Sequence, residues 1–156
     1  MPIYLVRHGE ARPDVDDASR PLSARGRAEI ERVARLVAVL RPAVAEIRHS
    51  GLLRGRQTAE ILAAALGPAR GVRAAGGLAP SDEPGVAAAE CEAATEPILL
   101  VGHMPHLCRL ASRLLIGEAG RELIRFETGT VACLSRAERG WVVDWLITPR
   151  LSPDSG

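Results

Sequence analysis

Residues 96–105 read EPILLVGHMP. Ile98–Val101 are apolar without interruption, the pattern of a strand covered on both faces rather than one half exposed to water. Such a strand needs a helical layer above it and another below. The neighbouring sequence supplies both. A second apolar run, Ile3–Val6, lies in IYLVRHGEA, and a third strand is read in AVAEIRHS, residues 43–50. Between them PLSARGRAEIERVARLVAVL carries Ile30, Val33, Leu36, Val37 and Leu40 at helical spacing, with Ser23 as N-cap and Pro42 as stop. LLRGRQTAEILAAAL makes a second helix ended by Gly67-Pro68, residues 85–95 a short alanine-rich one, and residues 106–116 a fourth. Val72 suggests a minor strand in a glycine- and proline-rich loop. Two late strands, 130–135 and 141–147, flank the turn RAERG. Trp141 and Trp145, four apart in a strand, are expected on one face. The alternation predicts a three-layer α/β/α sandwich with a mostly parallel central sheet, one domain over residues 1–148, and a frayed tail over 149–156.

Composition excludes several functions. The 156 residues are 47% hydrophobic and 25% charged with a net charge of +1, which gives no reason to expect a nucleic acid or an anionic membrane as partner. No run approaches a membrane span and no leader pattern opens the chain, so a cytoplasmic protein is expected. All 20 basic residues are arginine, so an arginine is informative only beside other chemistry. Cys91, Cys108 and Cys133 show no metal-ligand spacing. The acidic run Asp14, Asp16, Asp17 lacks the remaining features of a calcium loop. No metal site and no cofactor are expected.

In a parallel sheet, ligands bind at the carboxyl ends of the strands. Here those ends are Arg7-His8, His49-Ser50 and Gly102-His103, with Arg54 in the first turn of the helix that follows the second. A lone histidine after a strand is usually structural. Two imidazoles and two guanidiniums aimed at one edge fit a phosphoryl group better than other ligands: guanidinium forks match phosphate oxygens, and neutral imidazole is a nucleophile near neutral pH. The edge is poor in carboxylates, which argues against magnesium.

RHGEA, RPLSARG, SGLLRGRQTAE, VGHMP and FETGTVACL occur in that order. Together they resemble the histidine phosphatase superfamily, of phosphoglycerate mutase-like fold, and its small SixA-like phosphohistidine phosphatase branch. The resemblance implies that His8 is the nucleophile and that Arg7, Arg54 and His103 hold and stabilise the phosphoryl group. It implies pocket positions for Gly9, Gly102, Ser50 and Arg20, Ser50 being equally well explained as a helix N-cap. Gly51 and Gly55 depart from the proline and alanine of many relatives. Asp82 and Glu83 are the candidate general acids, against a reading as solvated loop carboxylates. His49, His106 and Cys108 read as neighbours rather than participants. The interval from Ser50 to His103 is short for a lid, which suits a phosphohistidine-bearing protein as partner. A small phosphate ester is the alternative substrate, and an inactive phosphate-binding module the alternative class. Oligomeric state is left open.

Overall fold

The computed structural model describes residues 1–151. Its elements are β1 (Pro2–Arg7), α1 (Ala24–Val39), β2 (Glu46–His49), α2 (Leu53–Leu66), β3 (Val72–Ala74), α3 (Pro84–Ala93), β4 (Ile98–Gly102), α4 (His106–Ile116), β5 (Val131–Ala137) and β6 (Gly140–Ile147). They build one six-stranded sheet in the order β3-β2-β4-β1-β5-β6. β3, β2, β4 and β1 run parallel, while β5 and β6 are antiparallel additions at one side. The expected three-layer, mostly parallel architecture is what the chain adopts.

The continuous apolar runs behave as their composition requires. Ile3, Leu5, Ile98 and Leu100 face α3 and α4, packing with Ala87, Cys91, Leu107 and Leu110. The alternate residues Tyr4, Val6, Leu99 and Val101 face α1 and α2, packing with Val33, Val37, Ala59 and Leu62. Each side chain of β4 is therefore buried, and burial of each large aliphatic contributes roughly 1.5–3 kcal/mol. Ser23 caps α1 by accepting from the Gly26 amide, and Gly67, at φ 59°, closes α2 in the left-handed conformation that glycine adopts without strain.

The two tryptophans correct the expectation of a shared face. Cys133 pairs with Trp145 but Leu134 pairs with Val143, so β6 carries one extra residue at a bulge. The bulge inverts the alternation. Trp141 joins the α3/α4 side, whereas Trp145 packs on the α1/α2 side, its ring 6.0 Å from that of Tyr4. Of the tail expected to fray, Pro149–Leu151 form a 3-10 turn with Arg150 paired to Glu127; residues 152–156 lie outside the described chain. Among the described residues no helix is long and apolar enough to cross a membrane.

The parallel strands end level. Arg7 of β1 stands opposite Gly102 of β4, and His49 of β2 opposite Val101. The side chains that follow these ends are thus delivered to one edge of the sheet.

Candidate active site

The loop after β1 is held from three directions. The His8 amide donates to the Gly102 carbonyl at 3.1 Å, tying it to the end of β4, and the Gly129 amide donates back to the Arg7 and His8 carbonyls. From α2, the Thr58 hydroxyl accepts from the Gly9 amide at 3.1 Å and donates to the Arg54 carbonyl at 2.8 Å. Gln57, one residue earlier, accepts from the Leu22 amide at 2.8 Å. Arg54, Gln57 and Thr58 sit at i, i+3 and i+4, hence on one helix face. That face aims an arginine and anchors two loops.

From α1 the support is steric. A Cβ on Gly26 would lie 2.1 Å from the Glu10 carbonyl oxygen and 2.8 Å from its nitrogen. Glycine lets the first turn of α1 rest directly on the backbone behind His8. Gly26→Ala is expected to displace that loop and to cost about 3 kcal/mol or more, since backbone cannot yield as a side chain does. Thermal unfolding should show Tm lower by about 6–12 °C; an unchanged Tm would contradict this packing.

The His8 Nδ1–H group donates to the Gly9 carbonyl at 2.7 Å. This leaves Nε2 as the unprotonated nitrogen of the neutral ring. Burial pushes the imidazole down to about 4 against the opposing pull of the Gly9 carbonyl, and Arg54, Arg7 and Arg20 add repulsion in the same direction as burial. His103, its ring centroid 4.8 Å away, is pushed down to about 3 by burial, then by His8 and Arg54. Its Nε2 shares a 2.5 Å hydrogen bond with the Ser50 hydroxyl. Both rings are neutral near pH 7, and His8 has a nucleophile's lone pair.

The two depressed values have a consequence for stability. The unfolded chain takes up these protons near pH 6.5, while the folded one resists until about 4 for His8 and about 3 for His103. Folding stability is therefore complete above 6.5 and declines as pH falls toward 4. Denaturation across that range should show the decline, and NMR titration should place the His8 midpoint near 4. A midpoint near 6.5 would contradict the burial and charge around it.

The arginines are fixed at one end each. Arg7 Nη1 donates to the Phe126 carbonyl at 2.7 Å, and Arg54 Nη1 to the Asp17 carbonyl at 2.7 Å. Arg54 is only 3% exposed. The Nε atoms of Arg7, Arg20 and Arg54 and Nδ1 of His103 are buried without a protein partner. An unpaired buried polar group costs about 1–3 kcal/mol, so their clustering fits a site built around a multivalent acceptor such as a phosphoryl group.

These residues line a cleft of about 720 Å³ together with Glu10, Asp17, Ala79, Pro80, Ser81 and Thr128. Of the residues expected from the sequence, Arg7, His8, Arg20, Arg54 and His103 meet there. Ser50 stands just behind, bonded to His103. It is not the α2 N-cap, which is Leu52. Gly9 and Gly102 do not line the cleft, and packing restricts both: a Cβ on Gly9 would meet Ile30 at 2.7 Å, and one on Gly102 would meet Leu107 at 3.1 Å. Asp82 and Glu83 do not line the cleft. Asp82 turns back to accept from the Ala79 amide, and Glu83 is exposed beside Arg109. Gly51 has φ 94°, which proline cannot adopt, and its amide donates to His49.

The expectation of a carboxylate-poor site is corrected by Glu10 and Asp17, which line the cleft where Asp82 and Glu83 do not. Glu10 accepts from the Ser23 hydroxyl at 2.8 Å, and Asp17 stands 3.4 Å from both Arg20 and Arg54. Glu10 was marked only by its place after RHG; Asp17 was hidden in an acidic loop. Thr58 and Gln57 were visible as the end of the R-x-x-Q-T spacing, and Gly26 only as the last residue of RPLSARG, with no role attached to it. No three His, Cys, Asp or Glu side chains among the described residues are grouped to hold a metal ion.

The comparisons agree with this geometry. Residues 3–78 match the model of the histidine phosphatase superfamily, branch 1. An uncharacterized protein of Picosynechococcus sp. is 38% identical over 147 residues, covering 89% of this chain and 88% of its own. A structure of the protein histidine phosphatase SixA complexed with tungstate superposes with TM-score 0.87 at 24% identity, over 96% of this chain and 98% of that one. The protein designated SixA in Agrobacterium tumefaciens gives 0.80 at 26%, over 95% and 97%. A mycobacterial glucosyl-3-phosphoglycerate phosphatase shares the fold at 0.69 and 18% identity, over 92% and 97%. With a strand-end RHG, the helix-borne arginine and the second strand-end histidine in one cleft, the chain belongs to the histidine phosphatase superfamily and is a phosphatase of its SixA-like branch.

Proposed function

We propose that the protein removes the phosphoryl group from phosphohistidine on a partner protein, by way of a phosphorylated His8. The observation that carries this reading is the His8 ring, neutral, fixed in tautomer by the Gly9 carbonyl and surrounded by three arginines. His8 Nε2 attacks phosphorus in line, and the bond from phosphorus to the substrate nitrogen breaks. The departing imidazole takes a proton from water. A second water then attacks the phosphoryl-His8 bond, releasing inorganic phosphate and restoring the neutral ring. Arg7, Arg54 and Arg20 neutralise the phosphoryl oxygens, each well-placed donor contributing about 3–4 kcal/mol to the transition state. His103, neutral and with its ring 4.8 Å from that of His8, supports the same group.

Imidazole leaves more readily than an alkoxide, so the placement of Asp82 and Glu83 away from the cleft favours a phosphoramidate substrate. The likeness to SixA supports the same choice. A second reading, hydrolysis of small phosphate esters, is favoured by Glu10 and Asp17, since a carboxyl at the cleft could protonate an ester oxygen. Purified protein should be assayed in EDTA with a phosphohistidine-bearing protein and a panel of sugar and nucleotide phosphates. Faster turnover of the phosphohistidine protein is expected. A preference for one ester by tenfold or more would favour the second reading, and activity that disappears in EDTA would contradict the metal-free mechanism.

A further inference from the structure

The cleft carries more negative charge than phosphoryl binding calls for. Three guanidiniums, Arg7, Arg20 and Arg54, face two carboxylates, Glu10 and Asp17. With both imidazoles neutral, one positive charge remains. A phosphoryl dianion turns that into one negative charge, so the occupied cleft favours a cation on whatever carries the phosphoryl group and disfavours a further anion.

The Asp17 carboxylate is not required to aim Arg54. The Asp17 backbone carbonyl already holds Arg54 Nη1 at 2.7 Å, whereas the carboxylate is 3.4 Å from Arg54 Nη2 and from Arg20 Nη2. Its side chain is 69% exposed, which puts the charge at the cleft's mouth rather than its floor. Glu10, on the residue after Gly9, is anchored by Ser23 and lines the same cleft. Asp17 is paired at 3.4 Å with Arg20 and Arg54 and Glu10 is held by the Ser23 hydroxyl, yet both carboxylates line the cleft that an incoming substrate enters.

We propose that Glu10 and Asp17 determine specificity as a charge filter: they favour substrates whose phosphoryl carrier is cationic, as the ring of phosphohistidine is when its second nitrogen is protonated, and they reject phosphate esters bearing a second anionic group. The proposal rests on the reading of this cleft as the phosphatase site. It gives the two carboxylates a role in substrate choice, distinct from bond cleavage, and it names the excluded class as carboxylated and multiply phosphorylated esters.

The test compares kcat/KM for three probes: a phosphohistidine peptide, p-nitrophenyl phosphate and phosphoglycolate, which carries an additional carboxylate. The enzymes are wild type, Asp17→Asn, Glu10→Gln and the double variant. Relative to p-nitrophenyl phosphate, the double variant should gain about tenfold on phosphoglycolate and lose about threefold to tenfold on the peptide, each single variant giving a part. In the wild type, raising ionic strength should narrow the discrimination in the same direction, because charges at the mouth are screened; this requires no substitution and is indifferent to folding. Ratios that hold within about twofold while all three activities move together would mean that the carboxylates are merely structural, and would overturn the proposal. A wild type inactive on all three probes would overturn the phosphatase reading itself, and the filter with it.

Discussion

His8→Ala is expected to lower turnover of p-nitrophenyl phosphate by about 10⁴-fold or more, to the level left by the remaining binding groups alone. Loss of a covalent nucleophile has effects of this order because the neighbouring groups act through it. Water cannot take its place efficiently: the ring's position is fixed by the Gly9 carbonyl behind and by the Gly102 carbonyl holding its amide. The fold should survive, since His8 is an end-of-strand residue whose backbone bonds do not depend on its side chain. Removing an imidazole that must be buried neutral should also lessen the loss of stability between pH 6.5 and 4. The variant should keep binding phosphate or tungstate through Arg7, Arg20 and Arg54. Turnover within tenfold of wild type would contradict the assignment of the nucleophile.

Arg54→Ala should reduce turnover by about 10²–10³-fold, corresponding to about 3–4 kcal/mol of transition-state stabilisation. The effect should fall on kcat and kcat/KM together, because the guanidinium meets charge that grows as the phosphoryl group transfers. Arg54→Lys is a sharper probe. It keeps a positive charge but loses the fork whose Nη1 holds the Asp17 carbonyl and whose Nη2 stands 3.4 Å from the Asp17 carboxylate, with Nε left unpaired. It should recover only part of the activity, remaining below wild type by about tenfold or more. Equal activity of the lysine variant and wild type would show that charge alone suffices. Steady-state kinetics on one aryl phosphate checks both variants.

The layers of the fold were legible because they rest on simple periodicity. Ile98–Val101 could only be a strand covered on both sides, and Ser23 could be recognised as a cap by chemistry that does not depend on tertiary contacts. The tryptophan error marks the limit of that kind of reading. Alternation holds only while pairing is regular, and nothing in GWVVDWLI announces the residue that bulges. The chemistry-bearing residues His8, Arg7, Arg54 and His103 were visible because strand ends share one edge of a parallel sheet. The carboxylates were not. Asp82 and Glu83 were drawn toward the site by the resemblance, whereas hydrogen bonding to the Ala79 amide and solvation beside Arg109 hold them outside it. Glu10 and Asp17 enter because a loop folds over the cleft, and loop geometry leaves no period to read. Gly26 stood at the end of RPLSARG, but its reason could not be read there, since it is a contact with a backbone 16 residues away in sequence (26 − 10).

The central claim is that the phosphoryl group passes through His8. Rapid quenching of wild-type protein with a ³²P-labelled phosphohistidine peptide, followed by mapping of the labelled fragment, tests it most directly. A transient, acid-labile and base-stable phosphoryl group on His8, absent from His8→Ala, is the expected result. Release of labelled phosphate at full rate with no label on His8 at any time would contradict it.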